Sequence, residues 1–469
     1  MSHSQPAATG PAASYPPEIF KAYDIRGIVG TSLTPAIVEG IGHAIGSEAL
    51  KRNCRQVVVG RDGRLSGPDI VAALARGITR AGGDVIDIGR VPTPVLYFAT
   101  FHLGTYAGVA VTGSHNPPEY NGLKMVLGGE TLSGEAIQDL RRRLVENDLA
   151  QGRGQLTQKD VRDAYLARVT GDIKPARALR IAVDCGNGVA GELAPELLRR
   201  LGCDITELYC EIDGNFPNHH PDPSQLKNLK DVIAEVKSGG YDIGLAFDGD
   251  GDRLGVIAPD GEVIWPDRQM ILYARDVLSR HPGGKIIFDV KSSRLLERAI
   301  SAAGGEPVIW KTGHSLIKAK LKESGALLAG EMSGHVFFKE RWYGFDDALY
   351  TAARLVELLA RDKRSTAEVF KSLPNSVNTP ELHIQLAEGE NHTLVPKLVA
   401  AADMPGARLT TIDGLRADFS DGFGLVRASN TTPVLVLRFE ADNTQALSRI
   451  QGYFHGLISR VRPGTELPF

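Results

Sequence analysis

Three stretches of the chain repeat one alternation of apolar and polar positions: a short β-branched run, a break into Gly, Asp, Ser or Arg, a helix-length segment, and a second apolar run introduced by glycine. The first runs from Val57-Val58-Val59 into Gly60-Arg61-Asp62-Gly63-Arg64 and resumes at Gly82-Gly83-Asp84-Val85-Ile86. The second runs from Ile181-Ala182-Val183 into Asp184-Cys185-Gly186-Asn187-Gly188 and resumes at Gly202-Cys203-Asp204-Ile205. The third runs from Ile286-Ile287-Phe288 into Asp289-Val290-Lys291-Ser292-Ser293 and resumes at Gly304-Gly305-Glu306-Pro307-Val308. Strand-to-strand offsets of roughly 20 to 30 residues match βαβ units, whose crossover needs a dozen or more residues and normally a helix. The pattern therefore predicts an α/β protein with three tandem related mixed α/β domains. The last hundred residues depart from it, with a strand over Val434 to Phe439 and a closing helix near Thr444 to Ser459, and read as a smaller C-terminal α+β domain. The expected divisions are a disordered tail over 1–16 and domains over 17–159, 160–262, 263–374 and 375–469.

Composition narrows the class without changing that picture. At 469 residues the chain exceeds one ordinary core. A net charge of -3 argues against a nucleic-acid or membrane-surface partner. The four cysteines form no C-x-x-C pair and no zinc spacing, so they read as reduced thiols in a cytoplasmic protein. The Ser/Ala/Pro-rich start has neither the basic region nor the apolar region of a signal peptide, and no apolar run reaches the ~18 residues a membrane-spanning helix needs.

The sharpest chemical signal is Leu245-Ala246-Phe247-Asp248-Gly249-Asp250-Gly251-Asp252-Arg253, an apolar strand that ends in alternate aspartates. Positions i, i+2 and i+4 of an extended segment project to one side. Three hard oxygen ligands on a tight loop suit Mg²⁺ or Ca²⁺, and without a cation they repel one another. An EF-hand fails, because Arg253 and Pro259 stand where its glycine and glutamate belong. A haloacid-dehalogenase-type phosphatase remains a weaker alternative, since Asp252 occupies a position expected to hold Thr or Val.

Val111-Thr112-Gly113-Ser114-His115-Asn116-Pro117, followed by Pro118, leaves an apolar run and sets a serine beside a histidine on a loop that cannot extend a strand. The G-x-S-x-G elbow of α/β-hydrolases is absent, with Thr112 and Asn116 at the glycine positions. A serine beside a cation site can instead carry a phosphate of about -1.5 to -2 charges. Three carboxylates and that phosphate demand cations nearby, and Lys124 on the return strand, Arg253 and Arg26 are the candidates. Gly330-Glu331-Met332-Ser333-Gly334-His335 suits sugar hydroxyls, and Arg427-Ala428-Ser429-Asn430-Thr431-Thr432-Pro433 suits a phosphate.

The set T-G-S-H-N-P, D-G-D-G-D-R, G-E-M-S-G-H and R-A-S-N-T-T-P, in this order, resembles the α-D-phosphohexomutase superfamily, and within it the bacterial phosphomannomutase/phosphoglucomutase group. The resemblance implies four domains around a central cleft and a reversible interconversion of hexose 1-phosphate and hexose 6-phosphate, mannose and glucose, through a phosphoserine and a 1,6-bisphosphate. It implies Ser114 as phosphate donor and acceptor, and Asp248, Asp250 and Asp252 as Mg²⁺ ligands completed by the serine phosphate. Arg427, Ser429, Asn430 and Thr431 would hold the non-reacting phosphate, and Glu331, Ser333 and His335 would read the sugar. Tyr23, Arg253, Lys291 and His314 would be further cleft residues. Arg26 and Lys124 would serve proton transfer and charge stabilisation, with His115 orienting the loop or meeting phosphate. Glucose 1,6-bisphosphate is the expected activator, phosphorylated hexoses the partners, and a monomer the expected state. Phosphoglucosamine mutase is the alternative, and a non-catalytic phosphosugar-binding protein a remote one.

Overall fold

The computed structural model describes residues 15–430 and 432–469, so Thr431 and all but the last two residues of the expected tail lie outside the described residues. Four sheets follow one another along the chain. In the first, Gln56–Arg61 pairs in parallel with Asp84–Arg90 on one side and with Gly108–Val111 on the other, and Gly108–Val111 then pairs antiparallel with Tyr120–Leu127. The second repeats this plan: Arg180–Asp184 lies between parallel Asp204–Leu208 and Ile243–Phe247, and Ile243–Phe247 pairs antiparallel with Leu254–Ile257. The third repeats it again with Lys285–Asp289, Glu306–Trp310, Leu328–Gly330 and Val336–Phe338. The repeat expected from the alternation is thus a repeat of topology. Helices Gly67–Ala81, Ala194–Arg200 and Arg294–Ala302 make the first crossover in each unit.

One topological position recurs with consequence. The antiparallel return in each unit is a hairpin, and its loop holds a motif: Ser114 between Gly108–Val111 and Tyr120–Leu127, the aspartates between Ile243–Phe247 and Leu254–Ile257, and Glu331 to His335 between Leu328–Gly330 and Val336–Phe338. The fourth sheet is antiparallel, and its loop after Gly422–Ala428 and before Val434–Ala441 holds the fourth motif.

Packing divides the molecule unequally. One apolar core runs through the first three units, from Val58 and Tyr97 through Ile181 and Leu245 to Ile286, Leu349 and Phe370. The C-terminal unit keeps a separate core built on Leu437, Phe439, Ile450 and Phe454. Its seam with the third unit is a small apolar cluster of Val290, Phe423 and Leu425, flanked by buried arginines. Arg416 donates to the carbonyls of Val290 and Ser292 at 2.7 and 2.6 Å, and Arg438 donates to that of Lys291 at 2.6 Å and to Asp267 at 3.0 Å. Among the described residues no helix is long and apolar enough to cross a membrane.

Candidate active site

Ser114 is 1% exposed and holds φ +49°, a left-handed conformation that a non-glycine residue adopts only when its surroundings impose it. What imposes it is Arg64, which is buried. Its Nη2 donates to the carbonyls of Ser114 and Asn116 at 2.8 and 2.6 Å, and its Nη1 to those of Pro117 and Tyr120 at 2.6 and 2.9 Å. Asp62 completes the clamp. Its Oδ2 accepts from Arg64 Nε at 3.2 Å, Thr112 Oγ1 at 2.8 Å and the Gly113 amide at 3.2 Å. A Cβ at Gly113 would meet the Arg64 guanidinium carbon at 2.4 Å, so the clamp requires glycine there. Ser114 Oγ lies 3.1 Å from His115 Nδ1 and 3.3 Å from Asp248 Oδ2.

Beside the serine, Asp248, Asp250 and Asp252 are wholly buried, and their ligand atoms lie within 4.8 Å of one another. Asp248 Oδ1 caps its own loop, accepting from the amides of Gly251, Asp252 and Arg253 at 3.1, 3.0 and 3.1 Å. A Cβ at Gly249 would come within 2.4 Å of the Ser114 carbonyl, so this glycine lets the two loops touch. Lys124 Nζ bridges Asp250 Oδ2 and Asp252 Oδ2 at 2.7 and 2.5 Å, and Thr93 Oγ1 donates to Asp250 Oδ2 at 2.6 Å. Burial alone would depress Lys124, but Asp250 and Asp252 outweigh it and hold the ammonium above the usual lysine range. Burial, followed by Asp252 and Asp250, pushes Asp248 well above the usual carboxylate range. Asp250 Oδ1 and Asp252 Oδ1 are buried with no hydrogen-bond partner among the described residues, so the set fits a hard divalent cation.

His335 joins this loop to the sugar loop. Its Nδ1 meets Glu331 Oε2 at 2.9 Å and Ser333 Oγ at 3.0 Å, while Nε2 stands 3.3 Å from Asp252 Oδ1 and 3.2 Å from Arg253 Nε. The last two contacts are alternatives at one nitrogen, which faces Asp252 when protonated and accepts from Arg253 when neutral. Burial and Arg253 oppose protonation, but Asp252 and Glu331 outweigh them and pull His335 up to about 9. His115 goes the other way: burial and then Arg253, Arg26 and Lys124 hold it well below the usual histidine range. Arg26 pairs with Asp24 and Asn116 beside the serine loop.

The phosphate loop closes onto the first unit. Asn430 donates to the Tyr23 hydroxyl, which donates to the Thr312 carbonyl at 2.8 Å. Arg427 Nε and the Thr312 amide share Asp413 Oδ2 at 3.1 and 2.9 Å, and Arg427 Nη2 is buried without a partner among the described residues. Ser429 Oγ lies 3.0 Å from Thr432 Oγ1. His314 packs edge-on against Tyr23, with ring centroids 6.1 Å apart. Lys291 stands apart from these contacts, held to Glu381 at 2.6 Å across the seam between the third and fourth units.

The sequence reading missed the supports: Asp62, Arg64, Thr93 and Asn116 around the serine and metal loops, and Asp289, whose Oδ1 accepts from the Met332 amide of the sugar loop at 3.3 Å. A signal was present. An aspartate follows or ends the first strand of every unit, as Asp62, Asp184 and Asp289, and aligning the three repeats would have singled it out.

Three matched mixed sheets and a fourth module that bring a serine, three carboxylates and a phosphate loop together define an α-D-phosphohexomutase. The chain matches the phosphoglucomutase/phosphomannomutase family through its alpha/beta/alpha domains I, II and III over residues 17–151, 163–261 and 265–377, and through its C-terminal domain over 381–455. It is 54% identical over 462 residues to the phosphomannomutase/phosphoglucomutase of Pseudomonas aeruginosa, covering 98% of this chain and 100% of that one. It is 55% identical over 451 residues to a phosphoglucomutase of Neisseria gonorrhoeae, covering 95% and 98%. The crystal structure of a phosphoglucomutase/phosphomannomutase family protein from Burkholderia thailandensis superposes with a TM-score of 0.93 at 54% identity, covering 97% of this chain and 100% of that one. This chain belongs to the phosphoglucomutase/phosphomannomutase family.

Proposed function

We propose that the protein interconverts hexose 1-phosphates and hexose 6-phosphates of glucose and mannose, with Ser114 as the phosphorylated nucleophile. The observation that carries this reading is the approach of Ser114 Oγ to within 3.3 Å of Asp248 in a buried carboxylate cluster with unpartnered oxygens. A sugar hydroxyl oxygen bonds the phosphorus as the bond to Ser114 Oγ breaks, and the hydroxyl proton passes to a base beside the serine loop. His335, held between Glu331 and Asp252, ties the sugar loop to the metal loop as a cation. The resulting 1,6-bisphosphate turns over in the cleft, and its other phosphate returns to Ser114 Oγ. Arg427, Ser429 and Asn430 grip the non-reacting phosphate at either end of the sugar.

Asp248, Asp250 and Asp252 would hold Mg²⁺, which when bound supplies charge neutralisation for the transferring phosphoryl group. Lys124 and Arg26 stabilise charge, since an ammonium clamped by two carboxylates and a guanidinium are both poor bases. Catalysis of this kind rests on positioning and electrostatics.

The test is direct. Intact mass should show a fraction of the protein carrying one phosphate, absent in Ser114→Ala, and that variant should lose turnover of glucose and mannose 1-phosphates. Glucosamine 1-phosphate in the same panel separates the phosphoglucosamine mutase reading. Full activity in Ser114→Ala, or phosphate release without isomerisation, overturns the proposal.

A further inference from the structure

One buried carboxylate near the metal loop is gripped by two side chains of a single helix. His314 opens the helix His314–Ser324, and Lys318 lies one turn on, along the same face. Lys318 Nζ donates to Asp346 Oδ1 at 2.8 Å, and His314 Nδ1 stands 3.5 Å from the other oxygen, Oδ2. Among the described residues neither His314 Nδ1 nor Asp346 Oδ2 has a hydrogen-bond partner, although Asp346 is 0% and His314 7% exposed. A buried polar atom left unpaired is costly, and here a ring nitrogen and a carboxylate oxygen face each other.

We propose that Lys318 and Asp346 are positioning residues that fix His314 in the tautomer with its proton on Nδ1, donated to Asp346 Oδ2, leaving Nε2 as an acceptor for a sugar hydroxyl. The inference rests on the phosphosugar reading above and assigns a role within that site. Burial, then Lys318 and Lys124, disfavours the imidazolium form of His314, so the ring has one N–H to place. The helix N-terminus at which it sits acts in the same direction. Lys318 supplies the countercharge for Asp346, and its own place is set by the Tyr97 ring, 4.2 Å from Nζ. Tyr97 belongs to the helix Thr93–His102, whose first residue holds Asp250. The rings flanking His314 are Tyr23 and His335, the latter with its centroid 5.6 Å away, so the ring stands between the phosphate loop and the metal loop.

A second cation shared by Asp252, His335 and Asp346, whose ligand atoms also lie within 4.8 Å of one another, is the competing use of the same carboxylate. Lys318 already places an ammonium on Asp346, the one carboxylate of this set outside the aspartate triad, which disfavours it.

Long-range ¹H–¹⁵N correlation of the histidine rings in the full-length, Mg²⁺-loaded protein reads the tautomer, with His314→Gln for assignment. The expected result is Nδ1–H with an unprotonated Nε2 at His314. In Lys318→Met/Asp346→Leu, which removes the buried pair together and strands no charge, the tautomer should change and kcat fall about 10- to 100-fold with KM little altered. An Nε2–H tautomer in the unaltered protein overturns the inference, whether or not the double variant folds, and so does a double variant with an unchanged ring spectrum. Absence of mutase turnover in the unaltered protein would instead refute the functional reading, independently of the tautomer.

Discussion

Arg64→Met should separate the stability of the serine loop from its geometry. Burial pushes Asp62 up and Arg64 down despite their mutual attraction, so the pair carries a large desolvation cost. Removing only the guanidinium strands Asp62 in the interior, a loss of about 3 to 5 kcal/mol. It also frees the carbonyls of Ser114, Asn116, Pro117 and Tyr120. With the clamp gone, the left-handed Ser114, which costs about 1 to 2 kcal/mol to hold, relaxes. A shift of about 1 Å at a nucleophile lowers turnover roughly 100-fold. Urea unfolding should therefore show the stability loss, and intact mass and kcat the loss of phosphoserine and rate. In Asp62→Asn/Arg64→Met no charge is stranded, so part of the stability returns while kcat stays low. Unaltered kcat and phosphorylation in Arg64→Met, or recovery of rate in the double variant, refutes the reasoning.

Gly113→Ala should cost about 1 to 3 kcal/mol by denaturation and lower kcat, because its Cβ would stand 2.4 Å from the Arg64 guanidinium carbon. Chelation with EDTA should abolish turnover and added Mg²⁺ restore it, while Asp250→Asn should raise the Mg²⁺ needed for half-maximal rate; turnover unaffected by EDTA would exclude the cation. Arg427→Lys should raise KM for both hexose phosphates about tenfold or more with a smaller change in kcat, since a lysine cannot reproduce a forked contact. Burial would raise Glu381, but Lys291 outweighs it and holds the carboxyl at about 2, below its usual 4.5. Because the folded value is the lower one, this pair stabilises the protein above about pH 4.5, and the contribution is lost as pH falls toward 2. Glu381→Gln should accordingly lower stability at neutral pH and flatten its decline in acid, read by thermal melts across that range.

The chain announces its repeat because parallel strands buried on both faces must be short continuous apolar runs, as in Gly108–Val111 and Ile243–Phe247, where every residue is buried. The candidate reacting groups were legible for a related reason: Ser114 and the aspartates violate local rules, a serine beside a histidine on a loop held by two prolines and three alternate acids at a strand end. Arg64 violates none. It reads as one more loop arginine, and only tertiary structure turns its guanidinium onto four carbonyls fifty or more residues away. Lys291 shows the converse. Its motif suggested a ligand, and the partner it finds is Glu381, a carboxylate that no local pattern connects to it.

The placement of every motif at a hairpin after a buried strand explains how one repeated unit can build a site with several functions. Each hairpin loop emerges at the same point of its sheet, so each unit contributes one short loop, and loop sequence alone decides whether it carries a nucleophile, a metal cage or a sugar-reading acid. A shared apolar core then holds these three loops in fixed relation, as the contact of Gly249 with the Ser114 carbonyl demands. On the proposed reaction the loop of Arg427 needs a different mounting, because it would have to accept either end of the sugar while a bisphosphate turns over. Its unit has a core of its own and joins the third through arginines bonded to the carbonyls of Val290, Lys291 and Ser292. That seam holds only a small apolar cluster, so opening it would expose less apolar surface than separating the first three units, which share a core. On the proposed reaction the joint belongs before the C-terminal unit, where the cores divide, and the Tyr23 to Asn430 contact links that unit to the first.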